Sequence, residues 1–336
     1  RIGKIVKIGT IANNKEQCLV FYVDESFSIS ADEISKKFQV CIKNTMQMFI
    51  KEDTDKLNEI TNAIEQVKLN HAQYSLVENE KIKWLAPNPD TKKIIGVAFN
   101  NQNIRNAVHF DPGRPNYFLK SSSCLIGHNE SVLIRKCYGN TIPEPELCLI
   151  IGKKGKDIKK ADALKHVFGF SIMNDITSHG MKFSMDSVAV TRDPEIMRPE
   201  YTSWRKTSSD DKNDLYFVYH TRSKNSDTFG PMGPWVTTSD EINNPNNLRI
   251  HAYKNGECFT DDSTSSYLFS IEDLISDASH FFTLEAGDII SCGTAAKGNT
   301  TFPNAHRNII LNEEECVIDI KIEGLGTLSH SVKHVD

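Results

Sequence analysis

The sequence predicts a mainly β protein with added helices, an α+β chain in two parts. Three observations carry that reading. Short runs of β-branched and aromatic residues recur along residues 91–336, with turn residues between them. Helical periodicity is concentrated in residues 1–90. A polar, proline-bearing segment, WLAPNPDTKK, separates the two textures and reads as a linker.

In the first part, a small N-terminal domain over residues 1–90, KIVKIGTI and QCLVFYV read as strands. Ser30 and Glu33 in SADE stand at capping-box spacing, so a helix is expected to open there. A second helix follows Thr54, because Leu57, Ile60, Ile64 and Val67 recur at helical spacing. In the second part, residues 91–336, the strands are KIIGVAFN, SVLIRKC, ELCLIIGK, HVFGFSIM, LRIHAYK, DIISCGT and CVIDIKIEG. Asn255-Gly256 in KNGEC signals a hairpin. The strong helix of this part is IEDLISDASHFF, with Ser270 as its cap. The stretch from Phe183 to Asn225, rich in charge, serine and aspartate, is expected to be a long loop serving as a lid or interface element.

Composition narrows the function classes. The 336 residues carry a net charge of -5, and Lys and Arg are spread rather than clustered, so neither a nucleic-acid nor an anionic-membrane footprint shows. No stretch reaches the length of a membrane span, and RIGKIVKIGTI reads as a strand rather than a signal peptide. The eight cysteines form no CxxC pair and are expected to be free thiols of a reducing compartment, the cytoplasm.

The chemistry concentrates in IPEPELCLIIGK. Glu144 and Glu146 stand two apart, so on a strand they face the same way. Like charges that close repel, and burial sharpens the repulsion, so a positive partner must join them. A metal is the simplest, and an oxygen donor set suits Mg²⁺, Mn²⁺ or Ca²⁺. Asp175 ends HVFGFSIMND as another carboxylate at a strand terminus, Lys224 precedes a Gly/Pro-rich segment, and Gly293-Thr294 follow a strand where backbone N–H groups can meet an anion. Singly, each of these is an ordinary surface or turn residue; their order along the chain is what singles them out.

That order, PEPELCLIIGK, FGFSIMNDIT, SDTFGPMGPWV, NGE, LEAGDIISCGT and IEGLGTLSHSV, resembles the fumarylacetoacetase-like (fumarylacetoacetate hydrolase) family from about Trp84 onward. The resemblance implies a C-terminal domain of mixed β-sandwich and β-roll type, one divalent metal (Mg²⁺ or Mn²⁺), a homodimer, and a 2-oxo or 1,3-dioxo acid substrate. It implies Glu144, Glu146 and Asp175 as metal ligands and Lys224 as the active-site lysine. It places Gly293 and Thr294 at the substrate carboxylate and Lys120 beside the site, with Thr264 nearby.

The sequence also departs from the family pattern. Where relatives carry Tyr, His and Glu after the linker, GVAFNNQNIR offers Phe99, Gln102 and Arg105. Glutamine is no general base and arginine stays protonated. Where Arg, Asp and Gln are usual, NDITSHGMK offers His179, Gly180 and Lys182. Gln102, Arg105 and Lys182 are therefore expected at the substrate, and His179 is the candidate acid or base. A metal ion that polarises the keto group and stabilises an enolate suffices for decarboxylation, hydration or dehydration, so lyase-type chemistry is expected. C–C hydrolysis with a non-standard base, and a metal-binding pseudoenzyme, are the alternatives. Lys224 beside a cation is expected to have a lowered pKa.

Overall fold

A computed structural model describes residues 6–14, 16–108, 111–207 and 215–336. Its first strands are β1 (Lys7–Asn13), β2 (Glu16–Tyr22), β3 (Phe27–Ser30), β4 (Leu76–Glu78), β5 (Ile94–Ala98), β6 (Asn116–Lys120) and β7 (Leu125–Ile126). They are followed by β8 (Ser131–Arg135), β9 (Thr141–Ile142), β10 (Pro145–Ile151), β11 (Val167–Asn174), β12 (Thr177–Ser178), β13 (Ser187–Val190) and β14 (Leu215–Val218). The last are β15 (Gly230–Thr238), β16 (Arg249–Lys254), β17 (Glu257–Ser263), β18 (Ile289–Thr294), β19 (Cys316–Ile322) and β20 (Gly326–Val335). The helices are α1 (Ala31–Phe38), α2 (Met46–Glu52), α3 (Leu57–Leu69), α4 (His179–Ser184), α5 (Pro199–Thr207), α6 (Thr221–Asn225) and α7 (Ile271–Phe281).

An eleven-stranded sheet runs in the order β4-β3-β2-β1-β15-β11-β10-β18-β5-β6, with β7 paired to β15. A five-stranded sheet, β17-β16-β19-β20-β8, forms the second layer. The strands of residues 1–90 are thus part of the large sheet, joined to the rest where β1 pairs antiparallel with β15. Alternation along β10 shows how the layers stack. Leu147, Leu149 and Ile151 enter the core shared with Ile250, Ile318 and Ile320 of the second sheet. Cys148 and Ile150 enter the core shared with Phe49, Ile60 and Ile64 of α2 and α3. A strand covered on both faces has to be apolar throughout, which is why ELCLIIG reads as an unbroken run.

The three helices expected from the sequence form as α1, α3 and α7, with one difference in their caps, and α2, α4, α5 and α6 are additional. Ser30 accepts a hydrogen bond from the Glu33 amide, but the Glu33 carboxylate accepts from the Ser75 amide at 3.0 Å, so the reciprocal half of that capping box is absent. In α7 the box closes through Ser270 and Asp273. In α3, Ile60, Ile64 and Val67 are buried as the periodicity predicts. Asn255 and Gly256 both have positive φ at the β16–β17 turn. The stretch 183–225 is structured where it is described: β13 and β14 pair as an antiparallel ribbon, and α5 lies between them in the chain. Its residues 208–214 lie outside the described residues. All eight cysteines are free. Among the described residues no helix is long and apolar enough to cross a membrane.

Candidate active site

The site forms where β10 begins and β11 ends. The two strands are antiparallel, with Pro145 opposite Asn174. This brings Glu144 and Glu146 beside Asp175, and the Asp175 amide donates to the Glu144 carbonyl at 2.9 Å. Carboxylate oxygens of Glu144, Glu146 and Asp175 lie within 4.8 Å of one another. The corner is braced from behind. The Asn174 side-chain carbonyl accepts from the Glu144 amide at 2.7 Å, and its amide group donates to His330 Nε2 at 2.8 Å. His330 belongs to β20, so this contact ties the site to the second sheet. Burial brings the His330 imidazole down to about 4, which keeps Nε2 an acceptor.

Glu146 is buried. One of its oxygens accepts from the Ser291 hydroxyl at 2.5 Å and from the Gly293 amide at 3.1 Å. Burial, then Asp175 and Glu144, push its carboxyl well above the usual range, more than these donors offset. Gly293 makes its contact with φ at +110°, and a Cβ there would lie 2.8 Å from the Asn100 Cβ. The position therefore demands glycine.

Two lysines hold Asp175. Lys224 Nζ donates to Asp175 Oδ2 at 2.5 Å, to Glu144 Oε2 at 2.8 Å and to the Thr177 hydroxyl at 2.7 Å. Lys120 Nζ is 2.8 Å from Asp175 Oδ1 and donates to the Lys224 carbonyl. Burial alone would raise Asp175, but Lys120 and Lys224 outweigh it and bring the carboxyl to about 2. Burial alone would lower Lys224, but Asp175, Glu144 and Glu146 outweigh it and raise the ammonium above its usual value. The protein's own carboxylates thus act opposite to the lowering expected of a neighbouring cation. The position of Lys224 is fixed by Asp186, whose carboxylate accepts from the Arg222 and Ser223 amides at 2.9 and 2.8 Å at the start of α6.

These groups lie at one cavity of about 230 Å³. Glu144, Glu146, Asp175, Lys224, Thr294, His179 and Lys182 line it. Gly293 and Lys120 act from behind, through the contacts above. Gln102 and Arg105 do not line it: both are exposed, and Arg105 pairs with Asp111 at 3.2 Å. Their short 3-10 helix offers Ile104 and Ala107 instead. Thr264 is also elsewhere, donating to the Pro245 carbonyl and accepting from the Leu248 amide. The cavity holds groups the sequence did not single out: Phe118, His220, His306 and Arg307. Phe118 lies with its ring centroid 4.5 Å from Lys224 Nζ. Burial lowers His179, and it brings His220 and His306 to about 4, so all three present neutral imidazoles. A larger groove, about 500 Å³, runs past Asp273 and Asp277. It is open and holds neither the carboxylate cluster nor Lys224, so size does not mark the chemistry here.

Residues 93–333 match the family described as Fumarylacetoacetate (FAA) hydrolase C-terminal. The chain is 30% identical over 263 residues to the oxaloacetate tautomerase Fahd2a, mitochondrial, of Rattus norvegicus, covering 76% of this chain and 71% of that protein. It is 31% identical over 270 residues to the oxaloacetate tautomerase YisK of Bacillus subtilis, covering 79% and 77%. Among solved structures, the maleylpyruvate hydrolase of Sphingobium sp. SYK-6 in complex with manganese (II) ion and pyruvate superposes with a TM-score of 0.69 at 21% identity. That match covers 98% of this chain and 100% of the other. At that identity the likeness is one of fold.

Proposed function

Because the chain belongs to the fumarylacetoacetate hydrolase family, we propose that it is a divalent-metal-dependent enzyme that interconverts the keto and enol forms of a 2-oxo acid. The observation that carries this reading is the cluster of Glu144, Glu146 and Asp175 at the foot of the cavity, with Lys224 bonded to two of the three. Two relatives named as oxaloacetate tautomerases support the choice of reaction.

The cluster is an all-carboxylate donor set, which fits Mg²⁺ or Mn²⁺ and is compatible with Ca²⁺. A divalent ion held there supplies Lewis-acid polarisation of the keto group. The chain's own residues do the rest. Lys224 is held protonated by its carboxylates, and its three N–H groups are taken by Asp175, Glu144 and Thr177, so it supplies a fixed positive charge beside the enolate and does not act as a base. The proton at C3 of the substrate then needs a neutral acceptor in the same cavity. His179, kept neutral by burial, takes and returns it. Thr294 and the apolar wall of Phe99, Ile104 and Phe118 position the acid. The lyase outcome expected from the sequence uses the same enolate and differs in the bond to C3 that breaks. C–C hydrolysis needs an activated water, and the positions where relatives place the activating pair, Gln102 and Arg105, lie outside the cavity.

The test is exchange of the C3 protons of oxaloacetate in D₂O, followed by NMR with and without Mg²⁺ or Mn²⁺. Metal-dependent acceleration, abolished in Glu146→Gln, is expected; release of CO₂ in step with it would make the enzyme a decarboxylase. Absence of exchange on any 2-oxo acid, with Mn²⁺ bound, would make the protein a binding module.

A further inference from the structure

Keto–enol interconversion moves two protons, one off C3 and one onto the oxygen at C2. His179 serves the first. Lys224 is not free to serve the second, because its N–H groups are held by Asp175, Glu144 and Thr177.

His306 is buried and lines the same cavity. It follows Ala305, whose φ of +50° is a left-handed backbone that residues other than glycine seldom adopt. Such strain persists only where the surrounding structure fixes it. Nδ1 of His306 lies 3.2 Å from the Ala295 carbonyl, and a carbonyl only accepts, so Nδ1 carries the hydrogen. Nε2 is then the bare nitrogen. It has no partner among the described residues and is not sealed from solvent, and in a buried ring that opening is the cavity. The Ala295 amide in turn donates to the Pro145 carbonyl at 2.8 Å, and Pro145 stands between Glu144 and Glu146. Two hydrogen bonds thus hold the imidazole in register with the carboxylate corner. Glu144 and His179 both act on its charge. The side chains of His179, Lys182 and His220, which share the cavity wall, make no hydrogen bond among the described residues. A proton carrier works best when a bond to one ring nitrogen sets the tautomer and aims the other.

We propose that His306 is a second catalytic residue, which carries the proton of the C2 oxygen while His179 serves C3. This rests on the 2-oxo acid reading above. From keto to enol, His179 takes the C3 proton. The C–H electron pair becomes the C2–C3 double bond, and the carbonyl π pair moves to the oxygen. The His179 imidazolium passes its proton through cavity water to Nε2 of His306, and Nε2 gives it to the oxygen. One proton leaves carbon, one reaches oxygen, and both imidazoles end neutral. In the reverse direction Nε2 takes the enol hydroxyl proton first. The Ala295 carbonyl accepts from Nδ1–H throughout and steadies the transient imidazolium.

The test compares two rates of the Mn²⁺-loaded protein on oxaloacetate. One is exchange of the C3 protons in D₂O by NMR, and the other is ketonisation of the enol by ultraviolet absorbance. Exchange needs only the group at C3, whereas ketonisation needs both groups. His306→Asn keeps an N–H for the Ala295 carbonyl and loses the base, and His306→Gln is made beside it so that one folded variant suffices. The ratio of ketonisation to exchange should fall by at least about a hundredfold, the lower end of what a proton-transfer group contributes. His179→Gln should lower both rates. A histidine with only a structural role would move both rates together, so an unchanged ratio in the His306 variants would overturn the proposal. If the wild type accelerates neither rate, the 2-oxo acid reading falls and this role with it. If the wild type accelerates exchange alone, or both with the ratio kept in the variants, the role of His306 alone falls.

Discussion

Replacing Lys224 with methionine removes one charge and leaves the shape nearly intact. Its Nζ serves Asp175, Glu144 and Thr177 at 2.5, 2.8 and 2.7 Å, all in a buried corner. Taking one partner from such a cluster leaves uncompensated buried charge, a loss of about 3–5 kcal/mol. At roughly 2.1 cal/mol/K per residue, unfolding 336 residues carries an entropy of about 0.7 kcal/mol/K. The metal-free variant should therefore melt about 4–7 °C below the wild type at neutral pH. Added Mn²⁺ should shrink the gap, because the ion meets the charge that the ammonium met. By linkage, the factor by which Mn²⁺ rescues stability is the factor by which the variant binds Mn²⁺ more tightly. Differential scanning calorimetry in EDTA and in Mn²⁺, paired with Mn²⁺ titration of both proteins, reads all three quantities. C3 proton exchange should meanwhile fall by at least about a hundredfold, the scale of losing one preorganised electrostatic group beside the developing negative charge. A variant that melts with the wild type in EDTA, or that binds Mn²⁺ more weakly, would refute the electrostatic account.

Other expectations concern the support around the site. His330 is fully buried and brought to about 4 from 6.5, so the unfolded chain binds its proton first. Its stabilising contribution is complete above pH 6.5 and fades as pH falls toward 4, by about 3 kcal/mol over that window. His330→Gln, which can still accept from Asn174, should flatten the acid limb of a urea-unfolding series. Gly293→Ala should lose about 1–3 kcal/mol to the strained φ and to the approach of Asn100, and should weaken Mn²⁺ binding as the shifted backbone draws its amide away from Glu146. Urea denaturation and metal titration check both. Gln102→Ala and Arg105→Ala should change kcat/KM by no more than about twofold, as exposed substitutions away from a site do. A larger fall would place that 3-10 helix over the substrate.

The carboxylates and lysines were legible in the sequence because local order carries them. Glu144, Glu146, Asp175 and Lys224 each sit beside a distinctive string, and antiparallel pairing of two apolar runs brings three of them together. His220, His306 and Arg307 had no such signal. They reach the cavity from a short turn before α6 and from the 305–308 turn, and only the tertiary crossing decides that. Gln102 and Arg105 lie on the segment that reaches the cavity but are themselves exposed, since the two turns of 3-10 helix over Gln102–Ala107 present Ile104 and Ala107 to it instead. Thr264 was claimed by backbone partners at Pro245 and Leu248. The segment 183–225 read as a loop because β13 and β14 are four residues each, too short for alternation to show. Glu33 matched the capping-box spacing, yet the distant Ser75 amide competed for its carboxylate.

The Asn174–His330 contact that ties the two sheets together spans 156 positions of chain. Ser291 meets Glu146 across 145, and Lys224 meets Glu144 across 80. Contacts that distant are slow to form, because each closes a long loop before it is rewarded. The three carboxylates share one antiparallel strand pair, but the groups that brace them, Ser291, Lys224 and His330, arrive only when distant parts of the chain have come together. The braced ion-binding corner is therefore completed late, and most of the ion's free energy is added to the native state. In this protein, metal loading should slow unfolding and leave the rate of folding almost untouched.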